Sequence, residues 1–407
     1  MKNEKKIAVV GLGYIGLPTA ALLASKDYNV LGIDTNANAV DVINSGKAHI
    51  VEPQLDKYVS AAVSKKRFKA STVPGLADVY IICVPTPVEM GRKLPKPNIN
   101  HVINAIKSIS HLLKDGDLVI LESTSPVGTT KKLENTLRLS GVNTDNIHIA
   151  YCPERVLPGN VIDELIENDR VVGGLTPEAT SMVSSFYRTF VAGEIFETDA
   201  KTAELCKLTE NSFRDVNLAF ANELSIICEK EKIDVWMLIE LANRHPRVNI
   251  LQPGTGVGGH CIAVDPWFIV ARDKSNSKLI QKAREVNDIK PHWVVDQTEN
   301  KLKKVKFKDK KKPIVACLGL SFKPDIDDLR GSPAVLVVES LLSRGYAVFA
   351  VEPNIKTHAS IELIDLQTAF NKADVFVILV KHKEFIVDNV VLELRSRSAL
   401  DFCGALT

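Results

Sequence analysis

At 407 residues the chain is long enough for two or three domains. With 45% apolar and 25% charged residues it can build a core without disulfides. A net charge of +2 excludes a binder that holds nucleic acid by bulk electrostatics. The start, Met1-Lys-Asn-Glu-Lys-Lys6, has no signal-peptide architecture. No apolar run reaches the ~20 residues that a membrane span needs. Seven scattered cysteines, with no Cys-x-x-Cys pair, suit a reducing cytoplasm better than a disulfide framework or a zinc site.

Lys6-Ile-Ala-Val-Val10 predicts a buried parallel strand. It runs into the glycine turn Gly11, Gly13, Tyr14, Ile15, Gly16, and a helical pattern follows. A second strand, Tyr28 to Ile33, ends at Asp34, 18 residues beyond Gly16. Strand, Gly-x-Gly-x-x-Gly, helix, strand and carboxylate together form the dinucleotide fingerprint. The glycines admit a pyrophosphate to the helix N-terminus, and Asp34 is expected to accept from ribose hydroxyls. No Arg or Lys follows between Thr35 and Val40, so NAD is expected rather than NADP. Further buried strands are predicted at Asp78 to Val84 and Leu118 to Leu121. Thr86, Ser123 and Thr124 fall just beyond their carboxyl ends, where open α/β sheets bind ligands. For each hydroxyl alone, a turn or cap role stands beside a ligand role. The strand Ile147 to Ala150 leads into a loop carrying Glu154 and Arg155, with a surface ion pair as the alternative reading.

From Asp199, a plausible N-cap, a long helix is predicted to about Lys232. It carries Lys207, Asn211 and Arg214 on one face, a stripe that would ordinarily be solvated. A helix over Val235 to Asn243 and the segment Arg244-His-Pro-Arg247 precede Pro253-Gly-Thr-Gly-Val-Gly-Gly-His-Cys-Ile-Ala-Val-Asp265. Four glycines ahead of Cys261 predict a backbone that turns sharply or comes close to a ligand, with the thiol exposed to chemistry. The lysine-rich run Lys301 to Lys312 reads as a solvated linker or helix end.

The opening pattern then returns in outline. Pro313 to Gly319 parallels Lys6 to Gly11, Tyr346 to Asn354 parallels Tyr28 to Asn36, and Ala373 to Val380 parallels Ala77 to Val84. The expected fold is α/β, with two Rossmann-like doubly wound domains joined by a central long helix and helical segment. The expected divisions are 1–198, 199–300 and 301–407. Ser321-Phe-Lys-Pro-Asp325 replaces the second fingerprint, so the second domain should hold something other than a dinucleotide in the same way. Lys323 and Arg330 offer cations to phosphates, as in a nucleoside diphosphate.

Cys83 and Cys317 fall in strands and Cys206 and Cys228 in the long helix, where thiols behave as small hydrophobes. Cys152 and Cys403 are less clearly placed, and Cys261 stands apart in its loop. A metal at His260 and Cys261 lacks further ligands at sensible spacing, so no metal is expected. A nicotinamide cofactor together with a cysteine suggests oxidation of an alcohol beyond the aldehyde, through a thiohemiacetal and a thioester. Lys207, Asp265, Glu154, Asn211 and Thr124 supply the base, cation and water-positioning groups that such a site needs.

Gly-Leu-Gly-Tyr-Ile-Gly, Val-Pro-Thr-Pro, Ser-Thr-Ser-Pro-Val-Gly-Thr, Pro-Glu-Arg, Lys207-x-x-x-Asn211, Gly-Val-Gly-Gly-His-Cys-x-x-x-Asp and Phe322-Lys-Pro-Asp-x-Asp-Asp-x-Arg330 occur in order along the chain. In these motifs the sequence resembles the UDP-glucose/GDP-mannose 6-dehydrogenase family. The resemblance implies a four-electron oxidation at C6 of a UDP-sugar by two NAD, for polysaccharide precursor synthesis. It implies that Cys261 is the nucleophile, Lys207 and Asn211 hold the oxyanion and water, and Asp265 is the carboxylate near the thiol. Glu154 and Thr124 fall on the family's proton and water network, Lys323 on its substrate-side lysine and Arg330 on its cofactor-side arginine. Thr86 is expected beside the cofactor. Arg155, Val156, Leu157, Arg214 and Gly258 are expected beside the substrate. Arg247 matches an arginine that reaches a substrate across a dimer interface, which implies a homodimer through the central helix. The loops 153–159 and 243–254 look like the branch acting on UDP-N-acetylmannosamine; UDP-N-acetylglucosamine and UDP-glucose dehydrogenases are the alternatives.

Overall fold

The β-branched runs become strands in the computed structural model, which describes residues 5–89, 95–157, 159–304 and 313–407. Two units separate, Met1–Thr209 with Trp267–Arg272, and Glu210–Pro266 with Asp273–Thr407.

The first unit is built on β1 (Lys6–Val10), β2 (Asn29–Ile33), β3 (Phe68–Ser71), β4 (Val79–Ile82), a small hairpin of β5 (Val88–Glu89) and β6 (Lys96–Pro97), β7 (Leu118–Leu121), β8 (His148–Tyr151), β9 (Arg170–Gly174) and β10 (Ile195–Asp199). Apart from the hairpin, the strands form one sheet in the order β10-β9-β8-β7-β4-β1-β2-β3. From β3 to β8 it is parallel and follows the doubly wound order. β9 then runs antiparallel to β8, and β10 parallel to β9. The unbroken apolar runs follow from burial on both faces. Ile7 and Val9 join one core cluster, while Ala8 and Val10 join another.

In the second unit β11 (Ile314–Leu318), β12 (Ala347–Val351), β13 (Val375–Ile378) and β14 (Leu400–Asp401) pair in the order β12-β11-β13-β14, all parallel. Val315 and Cys317 face one core, Ala316 and Leu318 the other. The helical part comprises the C-terminal stretch of the 32-residue helix Ala200–Glu231, then Val235–Ala242 and Lys278–Lys304. Asp199 caps the long helix, accepting from the N–H of Lys201 (2.9 Å) and Thr202 (3.1 Å). Lys301 to Lys304 close the last turn of Lys278–Lys304, where positive charge suits the helix dipole; the rest of the lysine-rich run lies outside the described residues.

The internal repeat holds at the level of single bonds. Gly11 and Gly319 both adopt φ +91°, a left-handed geometry that favours glycine. The Gly11 N–H donates to Ile33 O (2.7 Å) and the Gly319 N–H to Val351 O (2.9 Å). Leu12 N–H then donates to Asp34 (2.9 Å), and Leu320 N–H to Glu352 (2.7 Å).

Candidate active site

At the fingerprint the three glycines do different work. A Cβ on Gly16 would stand 1.8 Å from Gly11 O, and one on Gly11 would stand 2.7 Å from Cys83 O, so both serve the packing of the turn. Gly13 has nothing within 4 Å and leaves its backbone approachable, as a pyrophosphate requires. The helix Gly16–Ser25 starts here without a side-chain cap, and Tyr14 and Ile15 lead into it. Asp34 is partly buried; it accepts from the N–H of Leu12 (2.9 Å) and Asn36 (2.9 Å) at the end of β2. These residues fit an NAD adenosine and pyrophosphate.

Past the neighbouring strand ends, Thr86 donates to Thr124 O (2.7 Å) and Ser123 to Val84 O (2.7 Å), lacing two loops together. Thr124 is partly buried in that lacing. Glu154 follows β8 and accepts from Val156 N–H. Burial pushes its carboxyl up to about 7, against the opposing charges of Lys207 and Arg170. Lys207 is itself buried on the long helix. Arg155 donates to Asp169 O (3.2 Å), Val156 packs on the core, and Leu157 is exposed, its N–H bonded to Glu164 (2.8 Å). Behind them, Glu122 accepts from Tyr187 (2.5 Å) and from the Cys83 thiol (3.2 Å), with Arg170 over the Tyr187 ring at 5.7 Å. Cys83 therefore lies just past β4 in a polar network, not as a plain hydrophobe inside a strand. The sequence pattern did not point to Glu122, Arg170 and Tyr187, because they come from three separate elements: the end of β7, β9 and the helix Pro177–Tyr187.

In the second unit Cys261 is exposed. Asp265 N–H donates to Cys261 O (2.8 Å), so the chain closes one helical turn between thiol and carboxylate before the helix Asp265–Arg272 begins. Asp265 is buried and takes a 2.5 Å hydrogen bond from the Asn211 amide. Asn211 lies four residues after Lys207, one turn along the long helix.

Three of the four loop glycines lie close against the protein on their Cβ side. A Cβ on Gly258 would meet Gly331 O at 2.5 Å and Pro333 Cδ at 2.5 Å; one on Gly259 would meet the Phe322 ring at 2.9 Å. One on Gly256 would meet Pro291 at 3.0 Å and Pro333 at 3.1 Å. On their Cβ side these three glycines let the loop lie against Pro291, Phe322 and Gly331–Pro333. Gly254 N–H donates to Asn222 (2.9 Å) and Thr255 donates to Leu379 O (2.7 Å), which ties the loop to the long helix and to the end of β13. Asn222 is bonded to Asn287 (2.9 Å), which donates to Asp215 (2.8 Å), and Arg284 donates to Asp215 (2.6 Å), all buried. Burial pushes Asp215 up to about 6 in spite of Arg284.

Lys323 is partly buried in the loop after β11. Arg330 is exposed, and its guanidinium is engaged by Asp328 at 2.6 to 3.0 Å. Arg214 and Arg247 are exposed.

Three domain models match along this chain: the UDP-glucose/GDP-mannose dehydrogenase family NAD binding domain over residues 5–191, its central domain over 201–289 and its UDP binding domain over 316–402. The chain is 52% identical to a UDP-N-acetyl-D-mannosamine dehydrogenase of Campylobacter jejuni, over 99% of this chain and 100% of that one. It is 50% identical to an NDP-N-acetyl-D-galactosaminuronic acid dehydrogenase of Ralstonia nicotianae, over 94% and 92% of the two chains. The structure of a UDP-D-ManNAc dehydrogenase from Pyrococcus horikoshii aligns with a TM-score of 0.90 at 38% identity, covering 99% of this chain and 96% of that one.

Proposed function

The chain belongs to the UDP-glucose/GDP-mannose dehydrogenase family and is an NAD-dependent nucleotide-sugar dehydrogenase; on that premise we propose that it oxidises UDP-N-acetyl-D-mannosamine at C6 to the uronate. One observation carries the reading of the chemistry: an exposed thiol, Cys261, one helical turn ahead of a buried carboxylate, Asp265, that Asn211 holds.

NAD, bound at the Gly11–Gly16 turn and Asp34, supplies the hydride acceptor for each of the two oxidations. The Cys261 thiolate forms a bond to C6 of the aldehyde, and the negative charge that develops on its oxygen is met by the Lys207 ammonium and the Asn211 amide. After the second oxidation a thioester links C6 to Cys261. Water adds to it, the C6–S bond breaks, and the acid leaves with the thiolate restored. Glu154, with Thr124 beside it, takes the proton of that water. Asp265 orients the thiol's turn through Asn211. Lys323 meets the diphosphate; Arg155, Val156, Leu157, Arg214 and Gly258 border the substrate; Thr86 and Arg330 flank the cofactor.

We read the protein as a cytoplasmic homodimer in which Arg247 reaches across to the second copy's substrate. Its seven cysteines form no disulfide, and among the described residues no helix is long and apolar enough to cross a membrane. Phe213, Phe220 and Ile227, seven residues apart on the long helix, are 68%, 50% and 51% exposed and support pairing there.

The 50% identity to the Ralstonia relative favours a second reading, an N-acetylgalactosamine-configured substrate. The test supplies NAD with UDP-N-acetylmannosamine, UDP-N-acetylgalactosamine, UDP-N-acetylglucosamine and UDP-glucose in turn. The expected result is two NADH per sugar with the first and the highest kcat/KM for it. A higher kcat/KM for another sugar overturns the substrate assignment. Cys261→Ser is expected to lose the full four-electron turnover by about 10³-fold; unchanged turnover removes Cys261 from the mechanism.

A further inference from the structure

Glu352 ends β12 in the place that Asp34 takes at the end of β2, yet the two carboxylates are used differently. Asp34 stays partly exposed. Glu352 is buried and accepts five hydrogen bonds: from the N–H of Leu320 (2.7 Å), Ser321 (3.1 Å) and Asn354 (3.0 Å), from the Asn354 amide (3.1 Å), and from His382 Nε2 (3.0 Å). Burial alone would raise its carboxyl; the bonds from His382, Leu320 and Asn354 outweigh that and hold it at about 2.

His382 is fully buried, two residues beyond Val380 on the loop after β13. Its Nδ1 faces the Asp325 N–H at 2.9 Å and the Asn354 amide at 3.2 Å. A nitrogen facing a backbone donor must accept, so the ring proton sits on Nε2 and points at Glu352. Asp325, Glu384 and His382 bring ligand atoms within 4.8 Å of one another, but the Nδ1 lone pair is already spent on Asp325 N–H, so the grouping does not read as a metal site.

The residues that this pair fixes are the loop Ser321–Asp325. Ser321 N–H is held by Glu352 and Asp325 N–H by His382. Between them Ser321 donates to Lys323 O at 2.7 Å, and Asp325 sits at φ +60°, in the left-handed region, while also accepting from Lys383 N–H at 3.0 Å. Lys323 and Phe322 lie inside this clamp. The Phe322 ring packs edge-on to His260 at 6.3 Å and against Gly259, next to Cys261. One buried pair therefore fixes both the backbone that presents Lys323 and the surface on which the cysteine loop rests.

We propose that His382, through its contacts with Glu352 and Asp325, is a positioning residue for the sugar nucleotide: it holds Lys323 where the diphosphate is read and Phe322 where the cysteine loop needs it. The inference rests on the reading that Lys323 meets the UDP moiety. It also explains why the carboxylate position of the second half no longer serves a ribose. The group that would accept from ribose hydroxyls has become the anchor of a loop.

The test uses the full-length chain with His382→Gln and, separately, Ser321→Ala. Ser321→Ala removes the hydroxyl that donates to Lys323 O (2.7 Å) and lies 3.3 Å from His382 Nε2, so it takes away one of His382's own contacts to the loop while leaving Glu352 bonded. KM for the UDP-sugar and for NAD are measured separately, and the affinity for UDP alone is measured by calorimetry. His382→Gln is expected to raise the UDP-sugar KM and the UDP Kd about tenfold, and Ser321→Ala about threefold, on the scale of one or two lost hydrogen bonds. The NAD KM should stay within about twofold in both, since its fingerprint lies at Gly11–Gly16. Unchanged UDP-sugar KM and UDP Kd in a variant with wild-type Tm overturn the inference, as does a parallel rise in the NAD KM, which would mark general loosening. If His382→Gln does not fold, Ser321→Ala decides by the same criteria. Should the wild type oxidise no UDP-sugar, it is the substrate reading that fails, and the UDP Kd of the variants still judges the role of His382.

Discussion

At the scale of single residues, Glu154 is the candidate-site carboxylate brought to titrate near neutrality. Its carboxyl is pushed up to about 7 by burial, so below that value it carries a proton and cannot accept another. The expected outcome is a kcat/KM that rises with pH through about 7 and levels above it. Glu154→Gln should flatten that limb and lower the plateau by about 10²–10³-fold. A full-height limb retained in the variant would assign the titration elsewhere. The sequence marked Glu154 as a candidate by its place beyond a strand. It could not supply the pKa, which depends first on burial and then on Lys207 from the long helix and Arg170 from β9, distant in sequence from each other and from Glu154.

At the scale of elements, the glycine loop shows where pattern reading reaches and where it stops. A glycine cluster beside a cysteine signals close backbone approach. It does not say what approaches, and here the approaching groups are Phe322, Gly331 and Pro333, over 60 residues downstream. Gly258→Ala puts a methyl 2.5 Å from both Gly331 O and Pro333 Cδ, so loop or neighbour must shift. A displacement near 1 Å at a reacting group costs roughly 10²-fold. Steady-state assays are expected to give Gly258→Ala a kcat/KM lower by about that factor with NAD affinity unchanged; wild-type kinetics would mean the loop yields without moving Cys261. Strands also differed in how readable they were. The all-apolar Leu118–Leu121 stood out, whereas Arg170–Gly174, with two glycines, and the largely polar Ile195–Asp199 at the sheet edge carry little strand signal.

At the scale of the whole molecule, the repeat of Lys6–Asn36 in Pro313–Asn354 made both sheets legible, since each half brings its own strand, glycine and carboxylate. The helical part was legible in length alone, because an amphipathic period does not reveal which exposed apolar side chains meet a partner. Phe213, Phe220 and Ile227 on the long helix carry the pairing proposed above; Met237 and Leu241 on the next helix are likewise 60% and 63% exposed. Phe220→Glu is expected to weaken self-association by about 10²-fold or more, read by sedimentation across a concentration series. A Phe220→Glu chain that stays as dimeric as the wild type places the interface elsewhere.

The distribution of sulfur chemistry has a consequence for how such an enzyme is lost. Burial pushes the thiols of Cys152, Cys228 and Cys317 up, and burial together with neighbouring carboxylates does so for Cys83 and Cys403, so at neutral pH these five stay protonated and poorly nucleophilic. Cys261 is exposed at the end of its loop. A peroxide or an alkylating electrophile selects thiols by accessibility and thiolate character. On the mechanism proposed above, the exposure that leaves Cys261 open to an aldehyde leaves it open to oxidants as well, and oxidative damage at this sulfur would reach catalysis without first unfolding the chain.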